Sequence, residues 1–307
     1  MLATLRLTLR AAAIGGLALT MSGCSIKRMA VNSLGDALTS GTASTFARDD
    51  DPELVRDASP FALKTIEGLI DASPRHQGLL TAAASGFTQY GFGFVQQEAD
   101  FTEAQDLDRA TAMRQRAKRL YLRAADYGLR GLEVDFPGFR DRVAGDVDAV
   151  LAKAGRKHVP LLYWTGAAWA AALAVDINDP VLSTRQSVIE KMMRRALALD
   201  EGFGEGALHD FFIAWEAAHS TTGGSRATAR RHFARAVELA AGRRAAPFVS
   251  LAEAVSINEN NRKEFEELLN QALAVDIDRA PDQKLANIIS QRRARWLLGR
   301  VDDLFVP

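Results

Sequence analysis

The chain has 307 residues and carries 38 basic against 38 acidic side chains, a formal charge of zero at pH 7 with histidines neutral. That balance argues against a nucleic-acid binder, which usually shows a basic excess. The only cysteine, Cys24, rules out an intrachain disulfide, so a chain of this length must rely on its apolar core.

Residues 1–23 read as an export signal. Arg6 and Arg10 supply a positive start, and residues 11–21 are almost all small or apolar. Cys24 follows Ala18-Leu19-Thr20-Met21-Ser22-Gly23, an order similar to a bacterial lipobox, in which the thiol becomes lipidated and anchors the protein. Met21 departs from the usual residue three before the cysteine. Ser25, rather than aspartate, follows it, so the expected destination is the periplasmic face of an outer membrane. Residues 24–51 are expected to form the lipidated tether, with a short helix around residues 29–38. After the signal, no apolar run is expected to reach the ~18 residues that span a bilayer.

From residue 52 to 307 the periodicity is helical throughout, with little strand signal. In chain order the clearest stripes are Met113, Ala117, Leu120, Tyr121 and Ala124; then Val188, Ile189, Met192, Met193, Ala196 and Leu197. Phe233, Ala236, Val237 and Ala240 follow, and then Phe265, Leu268, Leu269, Ala272 and Leu273. Each has the i, i+3, i+4, i+7 recurrence of a helix that buries one side. Ser73-Pro74, Asp179-Pro180, Gly223-Gly224, Ala246-Pro247 and Ala280-Pro281 mark helix boundaries. Gly202-Phe203-Gly204-Glu205-Gly206 reads as a turn between helices. The endings around Ala196, Ala236 and Ala272 recur at helix-hairpin distance, which predicts an all-α solenoid of degenerate tetratricopeptide-like hairpins.

Several segments carry a more specific resemblance. They are residues 61–70 and 79–84, then Leu162-Tyr163-Trp164-Thr165-Gly166-Ala167-Ala168-Trp169, then residues 206–209. The closing segment is residues 285–298, with Ala286-Asn287, Arg292-Arg293-Ala294 and Trp296-Leu297-Leu298. In this order the chain resembles the T component of tetratricopeptide-associated TRAP transporters, a family of bacterial periplasmic lipoproteins. The resemblance implies a non-enzymatic accessory that forms a homotrimer with a cavity or pore in each subunit. It also implies docking to a TRAP-type periplasmic substrate-binding protein and passage of a small hydrophobic or carboxylate ligand. A tetratricopeptide-type scaffold lipoprotein for envelope or barrel assembly is the rival reading.

No Gly-Lys pair of a phosphate loop, no Gly-x-Ser-x-Gly elbow and no paired-histidine zinc motif occurs. No cofactor or metal is therefore expected. Ligand-cavity candidates are the aromatics Tyr90, Phe94, Tyr163, Trp164, Trp169, Phe211 and Trp215. Asn287 and Arg293 join them; Arg293 approaches the apolar side of its helix with Ile289, Trp296 and Leu297, and is open to snorkelling, a carboxylate partner or an anionic ligand. Gly91 and Gly93 interrupt the first aromatic group, through either close packing or an opened backbone. The helix over 109–130 is basic on its outer side, so Arg114, Arg116, Lys118, Arg119 and Arg123 are candidates for docking an acidic partner. A solvated face is the plain alternative. His209-Asp210, beside Phe211, Phe212 and Trp215, suits either a pocket wall with a polar handle or a core with a capped histidine.

Overall fold

The computed structural model describes residues 45–143, 145–219 and 223–305, together with Ser33. Cys24, the export signal and, apart from Ser33, the short helix expected around residues 29–38 lie outside the described residues.

Among the described residues from 45 on, fifteen α-helices follow in order: α1 (Pro52–Ala72), α2 (Gln77–Tyr90), α3 (Gln97–Thr102), α4 (Leu107–Asp135), α5 (Phe139–Val143), α6 (Asp148–Leu151), α7 (Val159–Val175), α8 (Pro180–Ser183), α9 (Gln186–Leu199), α10 (Ala207–Ala218), α11 (Arg226–Ala240), α12 (Ala246–Leu251), α13 (Arg262–Leu273), α14 (Lys284–Leu298) and α15 (Val301–Leu304). No strand occurs among the described residues. Two π-helical turns break the series: Gly91–Gln96 joins α2 to α3, and Ala252–Ser256 extends α12.

The helix ends follow local chemistry. Asp51 caps α1 by accepting the Leu54 N–H, and Pro52 occupies the first turn, where its missing N–H costs nothing. Asp106 caps α4, Asp179 caps α8, Ser225 caps α11 and Asn261 caps α13 in the same way. Pro60 lies inside α1 and is exposed, and the helix runs on through it. The spaced apolar stripes are the buried faces. Ala117, Tyr121 and Ala124 are buried in α4, and Val188, Ile189, Met192, Met193 and Ala196 in α9. Phe265, Leu268, Leu269 and Ala272 are buried in α13, and Ala236 and Ala240 in α11.

Neighbouring helices pack in sequence: α1 on α2, α2 on α4, α4 on α7, α7 on α9, then α10 on α11, α12 on α13 and α13 on α14. The packing of α4 on α7 depends on Gly128, where any Cβ would run into Thr165. With its leading 3₁₀ turn, α7 makes a continuous helix, Arg156–Val175, that holds an 18-residue window of mean hydropathy 1.2, long and apolar enough by composition to span a bilayer. This corrects the expectation that no run after the signal reaches spanning length. α2, α4 and α9 surround the helix and bury 56% of it, as expected of a helix that is apolar on all sides in a core.

Two apolar cores result. The first runs from Leu63 through α2, α4, α7 and α9 to Phe212 and Trp215. The second gathers α11 to α15, from Ile213 to Phe305. The helix α10 belongs to both, because Phe212 and Ile213 point in different directions from adjacent positions. At the far edge the chain returns on itself. A Cβ on Gly93 would lie 3.2 Å from Ile289 of α14, and α14 also touches α1.

Candidate ligand-facing and docking sites

The return of α14 to the first helices is made by charge. Arg293 donates from Nη1 to Asp100 at 2.8 Å and from Nη2 to Glu253 at 2.6 Å. Its guanidinium lies 4.5 Å from the centre of the Trp296 ring, which meets Phe101 at 5.3 Å. Asp100 also accepts from Arg114 at 2.9 Å. The side chains of Arg293 and Asp100 are only 15% and 18% exposed. Glu253 lies within the second π turn, and Asp100 lies in α3, one helical turn past the first. π turns are often found where function needs a side chain re-aimed. Of the three roles open to Arg293 in the sequence, the structure shows the carboxylate partner.

A second group forms around α7 and the turn before α10. Tyr163 meets Trp164 edge-on at 4.9 Å and Phe203 at 5.2 Å. Phe203 begins a turn in which Gly204, Glu205 and Gly206 are all left-handed, with φ of 57°, 53° and 88°. For Glu205 that conformation carries strain of about 1–2 kcal/mol. Asp210 accepts from Ser250 at 2.8 Å and from Arg244 at 3.1 Å, and Arg244 reaches the Glu205 carbonyl. Burial pushes the Tyr163 hydroxyl up to about 12, with Asp210 adding to the shift and Arg244 opposing it. Phe211 and Trp215 stack at 5.4 Å, and Trp215 stacks on His219 at 4.2 Å.

The other candidates are dispersed. Tyr90 and Phe94 pair at 5.9 Å, with Tyr90 buried and Phe94 partly open. Trp169 is 3% exposed and packs beneath Arg185, so it is a core residue. Asn287 is buried and ties the 243–245 loop to α14: it accepts the Ala245 N–H and donates to the Arg243 carbonyl. Among the basic candidates, Arg114 is bound to Asp100 and Glu103, and Lys118 to Asp176 and Asp179. Arg116, Arg119 and Arg123 are exposed, and Arg123 lies 3.6 Å from Glu67.

The capped-histidine picture fits His209. Its Nε2 lies 3.1 Å from Glu201, and its Nδ1 lies 2.8 Å from Nδ1 of His232. Two ring nitrogens at that distance need one proton between them, so both rings cannot be cationic in this geometry. Burial, then the neighbouring His209, pushes His232 down to about 4, and burial also lowers His209 against the pull of Glu201. The hydrogen bond from Arg235, then that with His209, holds the Glu201 carboxyl at about 2. Among the described residues no group of His, Cys, Asp and Glu converges as a metal site.

Sequence reasoning missed a groove of about 270 Å³ between the ends of α11 and α13, lined by Arg243, Phe248, Gln271, Val275 and Arg279. It also missed Arg244, Ser250, Phe203 and Glu253. Nothing local marked them, since each partner lies 40 or so residues away in the chain.

Comparison with known proteins agrees with the resemblance. A family model described as the TRAP transporter T-component matches residues 48–305. An uncharacterized protein of Treponema pallidum (strain Nichols) is 32% identical over 306 residues, covering 94% of this chain and 95% of its own. With the match running through both apolar cores and the α14 return, the chain belongs to the TRAP transporter T-component family.

Proposed function

We propose that the protein is a non-enzymatic periplasmic lipoprotein, anchored through Cys24 in the outer membrane, that docks a TRAP-type substrate-binding protein and passes a small ligand onward. The single observation that carries this reading is the family match over residues 48–305. The successive helix pairs are read as degenerate tetratricopeptide-like hairpins, wound until the last helix meets the first. In this arrangement α2, α7, α10, α12 and α14 surround a path for the ligand. Tyr163, Trp164, Phe211 and Trp215 supply apolar wall, and the Asp210–Arg244 pair supplies a polar station. Assembly as a homotrimer, implied by the family, is part of the same reading. Exposed Arg116, Arg119 and Arg123 are the docking candidates that remain once Arg114 and Lys118 are tied within the chain.

The test is affinity capture of the mature protein from envelope extract, followed by mass spectrometry. Recovery of a TRAP-type substrate-binding protein is the expected result. Recovery of barrel-assembly proteins alone overturns the transport reading in favour of an envelope scaffold.

A further inference from the structure

Arg109, Arg116, Arg123 and Arg130 recur every seven residues along α4. At 1.5 Å rise per residue they stand about 10.5 Å apart. They form one row on the flank of the helix, because seven residues are nearly two full turns. Three of the four guanidiniums lie over rings from the α2–α4 packing: Arg116 is 5.8 Å from the Tyr90 centroid and donates to the Tyr90 hydroxyl at 3.4 Å, Arg123 is 5.3 Å from Phe87, and Arg130 is 5.1 Å from Tyr127. Phe87 and Tyr127 are themselves stacked, with planes 11° apart. Such seats fix the guanidiniums in place and reduce the rotamer entropy lost on binding.

The row is electrostatically unfinished. Arg123 alone has a carboxylate nearby, Glu67 at 3.6 Å, and that carboxylate is shared with Lys64 and the Tyr127 hydroxyl. Among the described residues no ion pair engages Arg109, Arg116, Arg130 or the adjacent Arg119. The contrast with Arg114 and Lys118 on the other flank is direct, since each of those has two carboxylates.

Spacing selects the partner. A β-strand repeats a side on even steps of about 6.7 or 13 Å, and neither matches 10.5 Å. A membrane surface asks for coplanar charges, whereas a seven-residue row drifts by about 20° per repeat. A second helix with the same repeat, crossing at a shallow left-handed angle, follows that drift and keeps each carboxylate opposite an arginine.

We propose that the rim of the α2–α4 pair is the seat of an acidic helix from a partner protein, presenting carboxylates at seven-residue spacing to Arg109, Arg116, Arg123 and Arg130. This rests on the docking reading above for the existence of a partner, and adds its chemistry and geometry.

The experiment uses the mature chain and two synthetic helical peptides of identical composition, one with glutamates every seven residues and one with them every five. Binding is measured by fluorescence anisotropy at 50 and 200 mM salt. The seven-residue peptide is expected to bind at least tenfold more tightly than the other, and to weaken at least fivefold at the higher salt. Changing Arg109, Arg116 and Arg130 together to Gln, with an unchanged circular dichroism spectrum and melting temperature, should abolish the preference. The Lys triple variant tests the ring seats: it should keep salt dependence and lose most of the discrimination between spacings. Equal binding of the two peptides, binding unaffected in the Gln variant, or binding only to phosphatidylglycerol vesicles overturns the proposal. A peptide preference that persists when no TRAP-type binding protein is captured leaves this surface standing and removes the docking reading instead.

Discussion

The two halves of the molecule meet at two seams built on opposite physics. At α10 the seam is apolar and continuous with the chain: Phe212 is fully buried on one side and Ile213 on the other. At α3, α14 and the π turn after α12 the seam is ionic: Arg293 meets Asp100, 193 positions away in the chain, with Glu253 as its second partner. Burial of apolar surface is non-directional, whereas an ion pair requires geometry and loses strength once water reaches it. The first seam therefore acts as a fixed spine, and the second as the joint that yields first.

The largest test breaks the spine. Phe212→Ala removes a ring that stacks on His232 and lies beneath Arg194, and should cost about 3–5 kcal/mol. In a chain of this size that lowers the melting temperature by roughly 10 °C, with both cores loosening together in hydrogen exchange.

Breaking the ionic seam should behave differently. Arg293→Met leaves Asp100 and Glu253 less paired in a half-buried place, for a loss of about 2–3 kcal/mol. Exchange should then rise in α3 and α14 while α10 keeps its protection. The neighbouring Arg292 bridges Glu53 and Glu98 with its side chain 46% exposed, and Arg292→Gln should change stability by less than about 0.5 kcal/mol in urea titration. Equal losses for the two arginines would refute the buried joint.

The spine also carries a pH dependence. His232, with its folded pKa depressed to about 4, binds its proton more readily once unfolded. Stability should therefore be full above the ordinary histidine value near 6.5 and fall as the pH drops from there to about 4. Thermal melts should show the decline, and His232→Asn, whose amide can donate or accept toward His209, should flatten it.

What the sequence revealed depends on how far apart the partners lie. The stripes in α4, α9, α11 and α13 were legible because a one-sided helix writes its burial into its own spacing. α7 was not, because it is apolar around its whole circumference, and no wheel distinguishes buried Trp169 from the more open Trp164. Arg293 showed its place near the apolar side, but Asp100 and Glu253 come from other helices. The same distance hid the ties of Lys118 to Asp176 and Asp179, which turn a basic-looking residue into an internal one. The turn at 202–206 was legible from its glycines, while the strain on Glu205 within it was not.

The π turn at Gly91–Gln96 has a consequence for how the family can change. A π turn holds one residue more than the α-helix it interrupts, and each residue of an α-helix advances the azimuth by 100°. Losing that extra residue would close the turn into a regular helix and leave the azimuth beyond it nearly as it is, whereas losing one residue from the α-helical stretch 97–99 would swing Asp100 and Phe101 by about 100°. The clasp to Arg293 and Trp296 would then point at nothing, although every residue of the clasp itself was retained. The molecule's closure is thus a matter of phase as well as identity, and the wide turn is a place ahead of the clasp where a residue can be gained or lost without breaking it.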